Sequence, residues 1–86
     1  MPRFIAVHPA SFKEEDLAGL AQRRGEMPAD VTWRCTWCAP ADGVTYCDWD
    51  ASDAQAIAGV LEACQVPVES IHEVRYFEPD AGKFIA

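Results

Sequence analysis

The stretch from Val31 to Asp50 constrains the fold of this chain more than any other feature. Its twenty residues hold all three tryptophans and three of the four cysteines. Many of the other side chains are tyrosine or β-branched types, and the segment 39–43, Ala-Pro-Ala-Asp-Gly, supplies turn residues in the middle. The stretch therefore predicts two antiparallel strands joined by a short loop.

The length of that loop predicts the register of the two strands. A five-residue loop over 39–43 pairs Trp33 with Trp49 and Cys35 with Cys47. Side-chain alternation then places all four on one face, as an aromatic patch with two thiols at its centre. Because directly opposed residues lie about 4.5–5.5 Å apart, the two sulfurs could share a soft cation or oxidise together. Alternatively, both cysteines are small buried core residues.

Cys35 and Cys38 also have the Cys-x-x-Cys spacing of thiol oxidoreductases. In those enzymes the pair lies at a helix N-terminus, whereas here it lies inside a predicted strand. Residues three apart in a strand point to opposite faces, with Cα atoms about 10 Å apart. That separation exceeds the reach of a disulfide, so the spacing does not predict a redox pair.

The rest of the chain supplies two helices and two more strands around this hairpin. Ser11 with Glu14 and Ser52 with Gln55 fit capping boxes that begin helices. The predicted elements are a strand over 4–8, a helix over about 12–24, the hairpin, a helix over about 53–64 and a strand over 71–77. This order predicts a single α+β domain over residues 1–86, a ferredoxin-like βαββαβ sandwich with a four-stranded antiparallel sheet in the order 4-1-3-2 and two helices on one face. Residues 79–86 form a tail with no predicted position.

The composition of the chain indicates which classes of partner this domain can bind. Large apolar residues fall on both faces of the predicted sheet, so we expect a homodimer in which a second copy covers the bare face. The net charge of −7 counts against nucleic acid. Neither a signal peptide nor a membrane-spanning stretch is predicted, which indicates a cytoplasmic protein. In that reducing compartment the cysteines are expected to be free thiols, metal ligands or redox groups.

Two histidines are further candidate ligands, because neutral imidazole binds nickel, copper and zinc. The topology predicts that His8 and His72 lie at the same end of the sheet. No nucleophile, base and orienting residue can be assembled, so no catalytic residue is predicted. An enzyme or small-molecule-binding module of the dimeric α+β barrel type, with a tryptophan-lined cavity, is the alternative.

Several short motifs resemble a family of small bacterial ferredoxin-like proteins, largely of unknown function, typified by a nickel-binding, nickel-responsive protein. The motifs are Thr32-Trp33, Tyr46-Cys47, Asp50-Ala51-Ser52 with Gln55-Ala56-Ile57, Val66-Pro67 and Ile71-His72-Glu73-Val74-Arg75. The resemblance implies a dimeric ferredoxin-like fold and an association with nickel.

One position departs from that family pattern. Relatives tend to have histidine two residues after the tryptophan, where this chain has Cys35. If that position is a ligand, the exchange favours ions that bind thiolate, namely nickel, zinc or copper(I). The resulting hypothesis is a metal-binding protein for buffering or response, with Cys35, Cys47 and then His8 as predicted ligands.

Overall fold

The structure, a computed structural model, describes residues 1–86. Its elements in chain order are β1 (Arg3–His8), α1 (Glu14–Gln22), a 3₁₀ turn (Arg24–Glu26), β2 (Val31–Ala39), β3 (Val44–Ala51), α2 (Ala54–Ala63), β4 (Ser70–Val74), β5 (Phe77–Glu78) and β6 (Lys83–Phe84). The first four strands form one antiparallel sheet in the order β2-β3-β1-β4. Read from β4, this is the predicted order 4-1-3-2, and the predicted ferredoxin-like α+β fold is confirmed.

The core lies between the sheet and α2. Alternate residues of β1 and β3 point towards the helices, and α2 adds Ile57, Val60 and Leu61. Trp49 and Ile57 are 0% exposed and anchor this layer. In contrast, α1 contains no fully buried residue. The helix-covered face is therefore buried mainly by α2. Neither helix is both long and apolar enough to cross a membrane.

The hairpin of β2 and β3 contains a bulge that the loop length did not predict. Trp33 pairs with Trp49 as expected, but the register then shifts at Arg34. Cys35 is consequently paired with Asp48, and Cys47 with Thr36. The extra residue shortens the loop to positions 40–43. Every β2 residue after the bulge therefore points to the face opposite the one predicted. The predicted pairing of Cys35 with Cys47 is wrong.

Both helices begin as predicted within two residues, but with different caps. The carboxylate of Asp16 accepts from the backbone N–H of Lys13 at 3.2 Å at the start of α1. At the start of α2 the cap is Asp53, whose carboxylate accepts from the Ala56 N–H at 2.9 Å. Ser52 instead donates to Asp30 at 2.8 Å. Asp53 is itself the N-cap of α2, whereas Asp16 lies in the first turn of α1 and accepts from the N–H of the N-cap residue, Lys13.

The C-terminal segment, which has no position predicted from the sequence, forms a small hairpin. β4 ends at Val74, earlier than the predicted Phe77, and β5 then pairs with β6. The rings of Phe77 and Phe84 meet edge to face at 5.5 Å. Tyr76 accepts a backbone hydrogen bond from Ile85 at 2.9 Å, which extends the pairing beyond β6. We call residues 75–86 the C-terminal hairpin.

Candidate functional site

A thiol and a carboxylate meet on the face of the sheet that the helices leave bare, here called the open face. The bulge at Arg34 turns Cys35 towards this face, opposite Asp48. The Sγ of Cys35 donates to Oδ2 of Asp48 at 3.8 Å. The exposed thiol thus lies beside a carboxylate that is itself buried, since Asp48 is 7% exposed. We call these two residues the Cys35–Asp48 pair.

Two arginines balance the carboxylates around this pair. Arg3 Nε lies 3.6 Å from Oδ1 of Asp48 and 3.6 Å from Oδ1 of Asp50. Arg34 Nη1 lies 2.7 Å from Oδ2 of Asp50, an ion pair with hydrogen-bond geometry. Arg3 Nε and Asp48 Oδ1 are buried and have no hydrogen-bond partner. The two atoms lie 3.6 Å from each other, so they form an ion pair that is too long for a hydrogen bond and leave hydrogen-bonding capacity unused.

A groove of about 510 Å³ surrounds the Cys35–Asp48 pair. Its apolar walls come from Trp37 on β2 and from Tyr76 and Ile85 on the C-terminal hairpin. The guanidinium of Arg3 lies 5.5 Å from the centre of the Tyr76 ring, within the range of a cation–π contact. The C-terminal hairpin therefore forms part of the wall of the site.

The electrostatics around Cys35 favour the protonated thiol. Partial burial raises the pKa of Cys35 above its ordinary value, and the charge and hydrogen bond of Asp48 raise that pKa further. Arg34 and Arg3 oppose this effect. Cys35 is therefore not an activated nucleophile, because the thiolate is the reactive form.

Cys47 lies on the helix-covered face, behind the sheet from Cys35. It is 3% exposed, and its Sγ lies 3.1 Å from the hydroxyl of Thr36. Burial raises the pKa of Cys47, whereas the hydrogen bond with Thr36 lowers it. Cys47 thus has the environment of a core thiol.

His8 also lies on the helix-covered face and is 0% exposed. Its Nδ1 is 2.8 Å from the carbonyl oxygen of Pro67, and only the ring nitrogen can be the donor in that bond. Nε2 is then an unprotonated acceptor in the neutral ring, and it has no partner. His72 pairs with Ile5 three residues before His8 on β1, so alternation places the two imidazoles on opposite faces.

The other two cysteines do not complete a thiol pair. Cys38 contacts Thr45 and the carbonyl oxygen of Phe12, both at 3.8 Å, on the helix-covered side. Cys35 and Cys38 therefore point to opposite faces, as the strand spacing predicted. All four cysteines, including Cys64 at the end of α2, are free thiols.

The predicted ligands are thus divided between two faces of the sheet. Cys35 lies on the open face, whereas Cys47 and His8 lie on the helix-covered face. No three His, Cys, Asp or Glu side chains converge closely enough to hold a metal ion. A single chain offers the Cys35–Asp48 pair and, separately, the unpaired Nε2 of His8.

The tryptophans do not line one cavity. Trp33 and Trp49 stack at 6.2 Å between ring centres, and Trp49 is completely buried. Only Trp37, which is 54% exposed, reaches the groove on the open face. Trp33 is partly buried and packs against the core, so Trp37 is the one tryptophan that a small molecule in this groove would meet.

The match to known proteins covers most of the region that holds these features. A family model described as "Nickel responsive protein SCO4226-like" matches residues 4–74. The chain belongs to this family. The predicted resemblance is confirmed, and both members of the Cys35–Asp48 pair lie within the matched region.

A solved structure agrees with this assignment. The chain is similar to the crystal structure of SCO4226 from Streptomyces coelicolor A3(2), with a TM-score of 0.69 and 26% identity. The similarity covers 84% of this chain and 94% of that one. No curated protein sequence matches the chain.

Sequence reasoning missed Arg3, Asp48 and Asp50 as members of the site. Asp48 and Asp50 lie two apart on β3, which is the spacing of residues that share one face of a strand. That spacing was the available signal, because a charged pair on one face indicates a face without a helix over it. Arg3 gave no such signal, since its neighbours are decided by strand order.

Proposed function

We propose that this protein binds a nickel-type transition-metal ion at the Cys35–Asp48 pair and serves in metal buffering or response in the cytoplasm. The family description names nickel responsiveness, which supports the choice of ion. The observation that carries the proposal is the contact of an accessible thiol with a buried carboxylate whose Oδ1 has no hydrogen-bond partner.

The chemistry of the two groups favours borderline and soft ions. Thiolate sulfur selects nickel, zinc and copper(I) over magnesium and calcium, and a carboxylate oxygen adds a second, charged ligand. Because the pKa of Cys35 is raised, binding must release the thiol proton. Affinity is therefore expected to rise with pH as the thiol titrates.

A second copy of the chain is the proposed source of the remaining ligands. Two side chains are fewer than the four that zinc takes in structural sites. The open face carries exposed apolar residues beside the pair, with Trp37 at 54%, Tyr46 at 39% and Ile85 at 55% exposure. Patches of this kind mark interaction surfaces. A homodimer joined at the open face would bring two Cys35–Asp48 pairs to one interface.

Cys47 and His8 remain predicted ligands, but on the helix-covered face of the sheet. His8 supports this reading through its unpaired Nε2, and Cys47 through its position on the same face. Both are buried, so an ion could reach either only through a local opening of the core. For His8 this would displace the ring of Phe12, which lies 5.6 Å from the imidazole. This makes them the weaker candidates.

Calorimetry on anaerobically prepared protein tests the proposal. Wild type is expected to bind Ni²⁺ or Zn²⁺, and Cys35→Ala and Asp48→Asn are each expected to weaken binding by about tenfold or more. Cys64→Ala is the matched control, because it removes a thiol outside the open face. Wild type that binds no nickel, zinc or copper would refute the proposal.

Two further measurements test the position of the metal site and the dimer. A loss of binding in Cys47→Ala or His8→Gln, with Cys35→Ala unchanged, would move the site to the helix-covered face. Light scattering that gives a mass of 9.5 kDa with metal present would refute the dimer.

A further inference from the structure

We propose that the helix-covered side of the sheet holds a second binding site, for a small apolar molecule that carries one hydroxyl group. The apolar body of this molecule lies between α1 and α2, and its hydroxyl donates a hydrogen bond to Nε2 of His8. The site is separate from the Cys35–Asp48 pair on the open face, and the inference does not depend on metal binding.

The space between α1 and α2 is a groove, here called the interhelix groove. It consists of two adjoining cavities of about 390 Å³ and about 430 Å³, and Arg23 and Cys64 line both of them. The apolar walls include Leu17 and Leu20 of α1 and Val60 of α2. Cavities of this size, with mostly apolar walls and a few polar groups, are typical of small-molecule sites.

The packing of α1 leaves a way into this groove. No residue of α1 is fully buried. On the side of α1 that faces β2, a further cavity of about 570 Å³ is lined by Leu17, Ala18 and Ala21 of the helix and by Trp33 of the strand. A segment held by few buried contacts opens at a low free-energy cost. We therefore expect α1 to move as a lid over the interhelix groove.

One end of the groove lies against the imidazole of His8. Phe12 and Pro67 both line the groove at this end. The ring of Phe12 meets the imidazole edge to face at 5.6 Å, and the carbonyl oxygen of Pro67 accepts from Nδ1 at 2.8 Å. His8 is completely buried, and its Nε2 has no hydrogen-bond partner. Because buried polar atoms are rarely left unpaired, Nε2 is an acceptor that a ligand in the groove can satisfy.

The surroundings of Nε2 favour a neutral donor. With the proton on Nδ1, Nε2 accepts one hydrogen bond, and a hydroxyl donates one. The hydroxyl of Thr45, which pairs with His8 in the sheet, already donates to the carbonyl of Ala10 at 2.7 Å. An ion needs more ligands, and no three His, Cys, Asp or Glu side chains converge here. Phe12 is only partly buried and lies in the segment 9–13, outside the helices and strands, so its ring is the group that moves to admit the hydroxyl.

Titrations with p-cresol and toluene test the hydrogen bond, because these two molecules differ by one hydroxyl. The affinity for p-cresol relative to that for toluene is expected to fall about tenfold in His8→Phe, since one net hydrogen bond corresponds to about that factor. His72→Phe, which removes the imidazole on the open face, is the matched control and should keep the wild-type ratio. The same ratio in His8→Phe and wild type, or wild type that binds neither molecule, overturns the inference.

Wild-type protein provides a second measurement that does not depend on how well a variant folds. The ¹⁵N NMR signal of His8 Nε2 is expected to shift on addition of p-cresol and to stay in place with toluene. A signal that stays fixed while p-cresol binds also overturns the inference. Cys35→Ala should bind p-cresol as wild type does, whatever its affinity for nickel, so failure of this site and failure of the metal site are distinguishable.

Discussion

The two faces of the sheet differ in how they treat their polar groups. On the helix-covered face, Trp49 and Cys47 are buried among apolar side chains, and the buried hydroxyl of Thr45 donates to the carbonyl of Ala10 at 2.7 Å. On the open face, Asp48 is buried beside an arginine, and one of its oxygens has no hydrogen bond. These residues alternate along one strand, β3. A single strand thus supplies apolar packing from one side and an ion-paired carboxylate cluster from the other.

The largest difference in stability between the two faces is expected when a tryptophan is removed from each. Trp49→Ala removes a completely buried ring from the core and is expected to lower the free energy of unfolding by about 3–5 kcal/mol in denaturant titrations. The matched change Trp37→Ala, on the open face, should cost less than about 1 kcal/mol. Equal losses would mean that the open face also contributes core packing.

A second test concerns the hydroxyl of Thr45. It donates to the Ala10 carbonyl at 2.7 Å and accepts from the Phe12 N–H at 3.4 Å, which ties the approach to α1 onto the sheet. Thr45→Val leaves these backbone groups unpaired and should cost about 1–3 kcal/mol. Thr32→Val, at an exposed position of β2, is the control and should change stability by less than about 0.5 kcal/mol. A similar effect of the two substitutions would contradict the role of Thr45.

Removal of the N-cap of α2, on the helix-covered side of the sheet, should have a smaller effect on stability than the loss of the Thr45 hydroxyl. Asp53→Ala removes the acceptor of the Ala56 N–H bond and should lower stability by about 1 kcal/mol. Ser52→Ala removes only an exposed hydrogen bond to Asp30, so its effect should be smaller. The reverse order would indicate that Ser52 is the cap, as the sequence alone predicted.

The smallest expected effect is a dependence of stability on alkaline pH. Burial raises the pKa of Cys47 in the folded chain above its ordinary value of 9.0. Folding therefore favours the neutral thiol. Its contribution is complete below pH 9.0 and is lost as pH rises through the folded pKa. Unfolding titrations across this range should show a steeper loss for wild type than for Cys47→Ala, with Cys64→Ala following wild type. Parallel curves for wild type and Cys47→Ala would show that burial does not affect this thiol.

The bulge at Arg34 is the reason that the faces differ in thiol content. Without it, Cys35 would lie opposite Cys47 on the helix-covered face. With the bulge, odd-numbered residues of β2 face the core before Arg34, and even-numbered residues face it afterwards. Trp33 faces the helices, whereas Cys35, two residues later, faces the open side. One additional residue in a strand therefore moved a predicted ligand from the core to an accessible groove.

The sequence by itself determined the order of the first four strands and the two helices, and the pairing of Trp33 with Trp49, whereas the strand order came from the ferredoxin-like fold that this element order matches. The element order and this pairing follow from local signals, since turn residues, apolar periodicity and helix boundaries depend on neighbours close in the chain. It also determined that Cys35 and Cys38 point apart, because alternation in a strand is a local property.

Only the tertiary structure decided which residues share the site. The shift at Arg34 is a β-bulge in the pairing of β2 with β3, and no residue type near it in the sequence predicts it. The approach of Arg3 to Asp48 and Asp50 requires β1 to pair with β3. Tyr76 and Ile85 of the C-terminal hairpin reach the groove only because the chain returns to the open face. Contacts of this kind join residues distant in sequence, so their energies depend on the assembled fold and not on any segment read alone.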